Sequence, residues 1–156
     1  MKLRDMPREM RWLLFATIIA NLASNRYFPL LPLYLEELGA TVEEVGFFFT
    51  MMTIFAISFR ILGGWLSDNI GRVQTIAIGG VLGWLAIIAY TLAPTWGWAM
   101  FGALFANIGS AMVGPSFEAY TAEQAPEGGT GTTFGLVNGL FLICQIIGPL
   151  LGGFLV

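Results

Sequence analysis

The residues best suited to chemistry stand together in one stretch, Gly63-Gly64-Trp65-Leu66-Ser67-Asp68-Asn69-Ile70-Gly71-Arg72. The second half of this stretch combines a carboxylate, a glycine and a guanidinium. Gly71 permits backbone angles that other residues resist, which suits a tight reversal of the chain. Asp68 is close enough to pair with Arg72, or to cap the N-terminus of a helix, where negative charge is stabilised. Either arrangement makes a latch that a small rigid-body shift can break.

Further polar side chains interrupt otherwise apolar stretches, where such groups need a partner or water. Asn21 and Asn25 are four residues apart and therefore share one face of a helix. Arg26 follows them, about 21 Å along the helix from its start at 1.5 Å per residue. We expect Arg26 either to face a cavity, where it binds an anionic group or pairs with a carboxylate of a missing half, or to snorkel outward toward acidic residues. Asn107 lies at a similar depth in a later stretch, and the three asparagines serve either substrate contact or hydrogen bonds between helices.

The composition excludes several classes of function. His is absent, which removes Ser-His-Asp and Cys-His catalysis and the commonest metal ligand. Cys144 is the only cysteine, so neither an intrachain disulfide nor a thiolate metal cluster is expected. With 7 Lys and Arg against 10 Asp and Glu, the chain has no basic patch for nucleic acid. We therefore expect no enzyme activity, no cofactor, no metal site and no nucleic-acid partner.

The elements that must position these residues are membrane-spanning helices. Of the 156 residues, 56% are apolar and only 11% are charged, and the mean hydropathy is +0.76. A small soluble core cannot bury this much apolar surface. About 20 mostly apolar residues cross a bilayer, and Pro94 divides the longest uncharged run. The sequence predicts five spans after a cytoplasmic segment 1–11, over residues 12–35, 45–67, 73–92, 96–120 and 132–156.

The charged residues between the spans predict an orientation. Lys and Arg are concentrated before the first span, whereas every charged residue of the 36–44 loop is acidic. The positive-inside rule then puts the N-terminus in the cytoplasm. The 36–44 and 93–95 loops are expected outside, and the 68–72 and 121–131 loops inside. The alternative of a cleaved signal peptide fits less well, because no small-residue cleavage site follows the first apolar run.

The stretch that contains Asp68 resembles motif A of the major facilitator superfamily, G-x-L-x-D-x-x-G-R-[KR]. Its fixed positions are matched by Gly64, Leu66, Asp68, Gly71 and Arg72, and only the last basic position departs, since Val73 stands there. Arg60 lies toward the same end of its span, as do Glu118 and Glu123 on another. We expect these three to join Asp68 and Arg72 in an inner charge network that gates the protein.

The last span resembles motif C of the same superfamily, which is associated with antiporters, mostly drug exporters. The matching residues are Gly135, Cys144, Gly148, Pro149, Gly152 and Gly153, with Cys144 in place of a glycine. The alternative is plain packing of small residues against a neighbouring helix and a kink at Pro149. Motif B is absent, because Phe105 stands where its arginine belongs.

The resemblance implies an all-α membrane protein, with this chain supplying five transmembrane helices of the N-terminal six-helix half of a twelve-helix bundle. It implies a secondary transporter in the cytoplasmic membrane that moves a small-molecule substrate by alternating access, with efflux of amphipathic compounds as the favoured subclass. The bilayer and a missing C-terminal half, or a partner chain in its place, are the expected partners. The alternative is a non-transporting membrane module that works only after assembly with a partner chain.

Overall fold

Every regular element in the described part of the chain is a helix. The structure, a computed structural model, describes residues 7–125 and 128–154. The elements are α1 (Arg8–Tyr27), a 3-10 turn (Phe28–Leu30), α2 (Leu31–Glu37), α3 (Val42–Ile70), α4 (Arg72–Thr91), α5 (Trp96–Gln124) and α6 (Thr130–Phe154). The prediction of an all-α chain is confirmed. The start of the predicted cytoplasmic segment, residues 1–6, lies outside the described residues.

Four of the described helices, α3 to α6, are long and apolar enough to cross a membrane. Their outer faces carry large apolar side chains that no described part of the chain covers. Ile61 is 80% exposed and Trp84 is 73% exposed. Exposed apolar area on this scale is typical of a surface that meets lipid. The chain is therefore an integral, multi-pass membrane protein.

The first predicted span, 12–35, is not one regular α-helix. The helix ends at Tyr27, a 3-10 turn follows, and α2 continues the path. Proline has no backbone N–H, so Pro32 cannot bond to the Phe28 carbonyl, which accepts a hydrogen bond from Leu31 instead. Polar and charged residues at both ends of α1 also reduce its hydropathy, and α1 is not among the four helices above.

The turns between α2 and α3 and between α5 and α6 are shorter than the sequence predicts. The chain turns between α2 and α3 through Gly39, at a φ of 87°. Thr41 then begins α3 with a capping box: its side chain accepts a hydrogen bond from the Glu44 N–H, and the Glu44 side chain accepts one from the Thr41 N–H. The predicted 36–44 and 121–131 loops are partly helical, because α2 extends to Glu37 and α3 begins at Val42, while α5 extends to Gln124 and α6 begins at Thr130. The 121–131 segment includes residues 126 and 127, which lie outside the described residues.

The helices form two compact units, and α1 packs against α6 in the first. Met10 and Leu14 on α1 are buried, as are Val137 and Cys144 on α6. At Gly148, an added Cβ would come within 2.7 Å of the Asn25 Cβ, so the helix backbones approach closely there. Lipid tails are as apolar as the helix faces, so transmembrane helices associate through close packing, which small residues permit.

The second unit, Pro32–Tyr120, holds α2, α3, α4 and α5 through Tyr120. Its helices also meet at glycines. An added Cβ at Gly79 on α4 would lie 2.7 Å from the Gly109 carbonyl oxygen on α5, and the converse distance is the same. The Tyr34 hydroxyl on α2 donates to the Tyr90 carbonyl on α4 at 2.5 Å. This hydrogen bond fixes the end of α4 relative to α2.

Candidate functional site

The junction between α3 and α4 is a single residue rather than the predicted 68–72 loop. The α3 helix continues through Asp68 to Ile70, and α4 begins at Arg72. Gly71 between them has a φ of 104°, a region that favours glycine. Its N–H donates to the Ser67 carbonyl at 3.2 Å, and its carbonyl accepts from the Thr75 N–H at 3.1 Å. The turn is tighter than predicted because Gly71 both closes the last turn of α3 and accepts the first hydrogen bond of α4.

Asp68 and Arg72 form an ion pair across this junction. The same guanidinium nitrogen of Arg72 donates to the Ser67 hydroxyl at 3.0 Å, and Ser67 is buried. The Arg72 side chain is 25% exposed, whereas that of Asp68 is 66% exposed. Of the two arrangements that the sequence allowed, pairing is the one observed, since α4 has no side-chain cap. Arg72 is thus anchored by its hydrogen bond to the buried Ser67, while Asp68 stays accessible to solvent.

The two adjacent glycines of α3 have opposite surroundings. Gly64, the glycine that fits motif A, has no atom within 4 Å of an added Cβ. Gly63 is buried, and its added Cβ would lie 2.1 Å from the Ala111 carbonyl oxygen on α5. Pro115 stands four residues after Ala111 and cannot donate to that carbonyl. The sequence analysis did not identify Gly63 as a packing residue. Its only signal is on α5, where Pro115 leaves the Ala111 carbonyl without its usual helical donor. Leu66, also in the motif, is half-buried.

Within the second unit, Arg60 and Glu118 form no ion pair with Asp68 or Arg72 among the described residues, and the wider gating network stays a prediction. Arg60 is exposed and makes no ion pair within the described residues. Glu118 is likewise exposed on α5 and forms no ion pair among the described residues. Glu123 lies in the last turn of α5, on the exposed side. Arg60 is eight residues before Asp68, about 12 Å along the helix, which is beyond the reach of a direct contact.

The asparagines of α1 face α6. The Asn21 amide donates to the Thr17 carbonyl at 3.0 Å, and the Asn25 amide donates to the Asn21 carbonyl at 2.8 Å. Both amide nitrogens are therefore engaged with their own helix. Gly148 packs on Asn25, so this face of α1 serves helix packing. A role in substrate binding stays a prediction for both residues.

Arg26 lies on another face of α1. Its side chain is exposed and makes no ion pair with the described carboxylates. Asn107 belongs to the second unit, where it is buried and donates to the Ala103 carbonyl at 2.8 Å. The predicted substrate residues thus include one free cation and three amides that are already bonded to their own helices.

The motif C-like residues of α6 are divided between contact and open surface. Cys144 is buried, and its thiol lies 3.8 Å from the Ile18 carbonyl of α1. Gly148 makes the close approach to Asn25, whereas Gly135 has nothing within 4 Å of an added Cβ. Pro149 is exposed within the helix. Gly152 and Gly153 lie in the last turn of α6, where only the helical backbone is described. Packing accounts for Cys144 and Gly148.

Comparison with known proteins decides the family. The model of the Major Facilitator Superfamily matches residues 13–156. The chain belongs to this superfamily. It is 26% identical over 153 residues to "Quinolone resistance protein NorA" of Staphylococcus aureus, covering 96% of this chain and 39% of that protein. It is 30% identical over 127 residues to an uncharacterized MFS-type transporter of Methanocaldococcus jannaschii, covering 81% of this chain and 33% of the relative.

The chain spans between a third and two fifths of the length of these curated relatives. The ion pair of Asp68 and Arg72 lies on the motif A positions, and Gly71 supplies the turn that brings the two side chains together. The α3–α4 junction is therefore the candidate functional site that the described residues support best, because it combines the motif residues with an observed ion pair.

Proposed function

We propose that the protein is a secondary transporter that exports amphipathic small molecules by alternating access. The observation that carries this proposal is the ion pair between Asp68 and Arg72 at a one-residue junction of two spans. An exposed carboxylate held by an anchored guanidinium can be released without unfolding either helix. A pair of this kind can close in one state of a rocking cycle and open in the other.

The relative named for quinolone resistance supports the substrate class. Alternating access needs two helical halves that move against each other around a central site. In our proposal this chain contributes to one half, and the other comes from the rest of a longer chain or from a partner chain. The membrane is the cytoplasmic membrane, and the N-terminus faces the cytoplasm.

Transport is tested with the complete gene product in a host that lacks its own drug exporters. We expect expression to reduce accumulation of a quinolone and of a lipophilic cationic dye. Asp68→Asn keeps the size of the side chain but removes its charge, so it should lower export strongly at an equal amount in the membrane. Ser110→Ala, on an exposed position of α5, is the matched control and should export normally.

Two results would count against this proposal. Unchanged accumulation of both compounds on expression would remove the export function. Normal export by Asp68→Asn at matched membrane levels would remove the gating role of the ion pair, while leaving transport itself in place.

A further inference from the structure

An open groove lies at the start of α1, in the first compact unit. It has a volume of about 480 Å³ and is lined by Arg8, Arg11, Trp12 and Phe15. The aromatic residues are 63% and 57% exposed, and their rings meet edge to face with centroids 6.4 Å apart. None of these residues has a part in the proposed transport site.

The two arginines of the groove carry uncompensated charge. Neither forms an ion pair with a carboxylate among the described residues. Glu9 is the described acidic residue that lies nearest in sequence, but it lies about 100° around the helix from Arg8 and about 200° from Arg11 at 3.6 residues per turn. Two neighbouring guanidiniums suit the oxygens of a phosphate, which they can bind with paired hydrogen bonds.

The groove also has a direction. Arg8, Trp12, Phe15 and Ile19 follow each other at spacings of four, three and four residues, so they share one face of α1. Ile19 is 52% exposed. Along about 16 Å of helix, this face changes from cationic to aromatic to aliphatic. A phospholipid changes in the same order, from phosphate through the interfacial region to acyl chain, and aromatic side chains favour that interfacial depth.

We propose that this groove binds an anionic phospholipid at the membrane surface where α1 begins. Arg8 and Arg11 hold the headgroup phosphate, and Trp12 and Phe15 contact the first part of the acyl chains. A soluble phosphate would satisfy the arginines but leave both rings in water. Arg26 lies on the same side of α1, about 16 Å beyond Phe15, which is deeper than the headgroup, so separate variants test its role.

The test uses the complete gene product, purified in detergent and titrated with phosphatidylglycerol or with zwitterionic phosphatidylethanolamine. Native mass spectrometry counts the bound lipids and gives an apparent Kd for the tightest one. We expect a preference for phosphatidylglycerol. Each basic residue near a membrane surface adds measurably to anionic lipid binding, so Arg8→Gln/Arg11→Gln should weaken the phosphatidylglycerol affinity by about tenfold or more.

Three controls make the result specific. Arg60→Gln removes one charge from another helix and should leave the affinity within about twofold, whereas Arg11→Gln alone should weaken it more. Excess glycerol phosphate should not displace the lipid. Equal affinity in the double variant, equal losses in Arg60→Gln and Arg11→Gln, or displacement by glycerol phosphate would each overturn the proposal. Lipid affinity is measured without transport, so failure here is distinct from failure of the proposed export function.

Discussion

Arg26 has the most demanding position of any side chain in the first helical segment. It lies in the last turn of α1, is exposed, and has no ionic partner among the described residues. A charged side chain at membrane depth costs about 2.5–3.5 kcal/mol on insertion scales unless it meets water or a partner. Its two explanations, a cavity residue or a snorkelling residue, predict different behaviour on substitution.

If Arg26 faces a cavity, Arg26→Leu should insert at least as well as the wild type but lose transport. A hydrogen bond to a charged group contributes about 1.5–3 kcal/mol, so the loss should be about tenfold or more. Arg26→Lys keeps the charge but not the planar fork, and we expect partial transport. The measurement is export by the three forms of the complete protein at matched membrane levels. Near-wild-type export by Arg26→Leu would show that the residue only snorkels.

The sequence indicates local chemistry at Asp68 and Arg72 better than it indicates secondary structure around them. Their four-residue spacing predicts the ion pair because it needs only helix geometry. The predicted loop was wrong, because a polar run after an apolar span suggests a loop, whereas Gly71 alone provides the reversal. A charge network that joins Arg60 to Asp68 does not follow from similar depth in the membrane, because the two residues lie about 12 Å apart along α3.

At the scale of the elements, helix contacts in the second unit depend on which glycine of a pair faces the neighbour. Gly79 on α4 is buried against Gly109 on α5, whereas an added Cβ at Gly80 would meet nothing within 4 Å. The sequence shows two adjacent glycines and no difference between them. Only the rotation of α4 within the packed unit distinguishes the contact glycine from the exposed one.

This difference gives a matched pair of variants. Gly79→Ala should destabilise the protein by about 1–3 kcal/mol, the usual effect of forcing a methyl group into a packed contact. Gly80→Ala should be neutral or slightly stabilising, because alanine is a better helix former than glycine. Thermal unfolding of the complete protein in detergent compares the two. A Gly79→Ala variant as stable as Gly80→Ala would show that α4 and α5 do not meet at this glycine.

At the scale of the whole molecule, orientation in the membrane rests on charge placed outside the spans. Residues 1–11, which include the first turn of α1, carry four of the seven basic residues, while the turn between α2 and α3 is flanked by Glu36, Glu37, Glu43 and Glu44. The one-residue junction at Gly71 and this acidic turn lie at opposite ends of α3. A single crossing by α3 therefore places them on opposite sides of the bilayer.

Cysteine labelling tests this orientation. In a Cys144→Ala background, which exchanges one small residue for another, cysteines replace Ala40 or Ile70 in the complete protein. An impermeant maleimide applied to intact cells should label position 40 and not position 70, because basic residues are retained on the cytoplasmic side. Permeabilised cells provide the control, in which position 70 should also react. Labelling of position 70 alone in intact cells would reverse the orientation of α3 and of every later helix with it, and would place the Asp68–Arg72 pair on the outer surface.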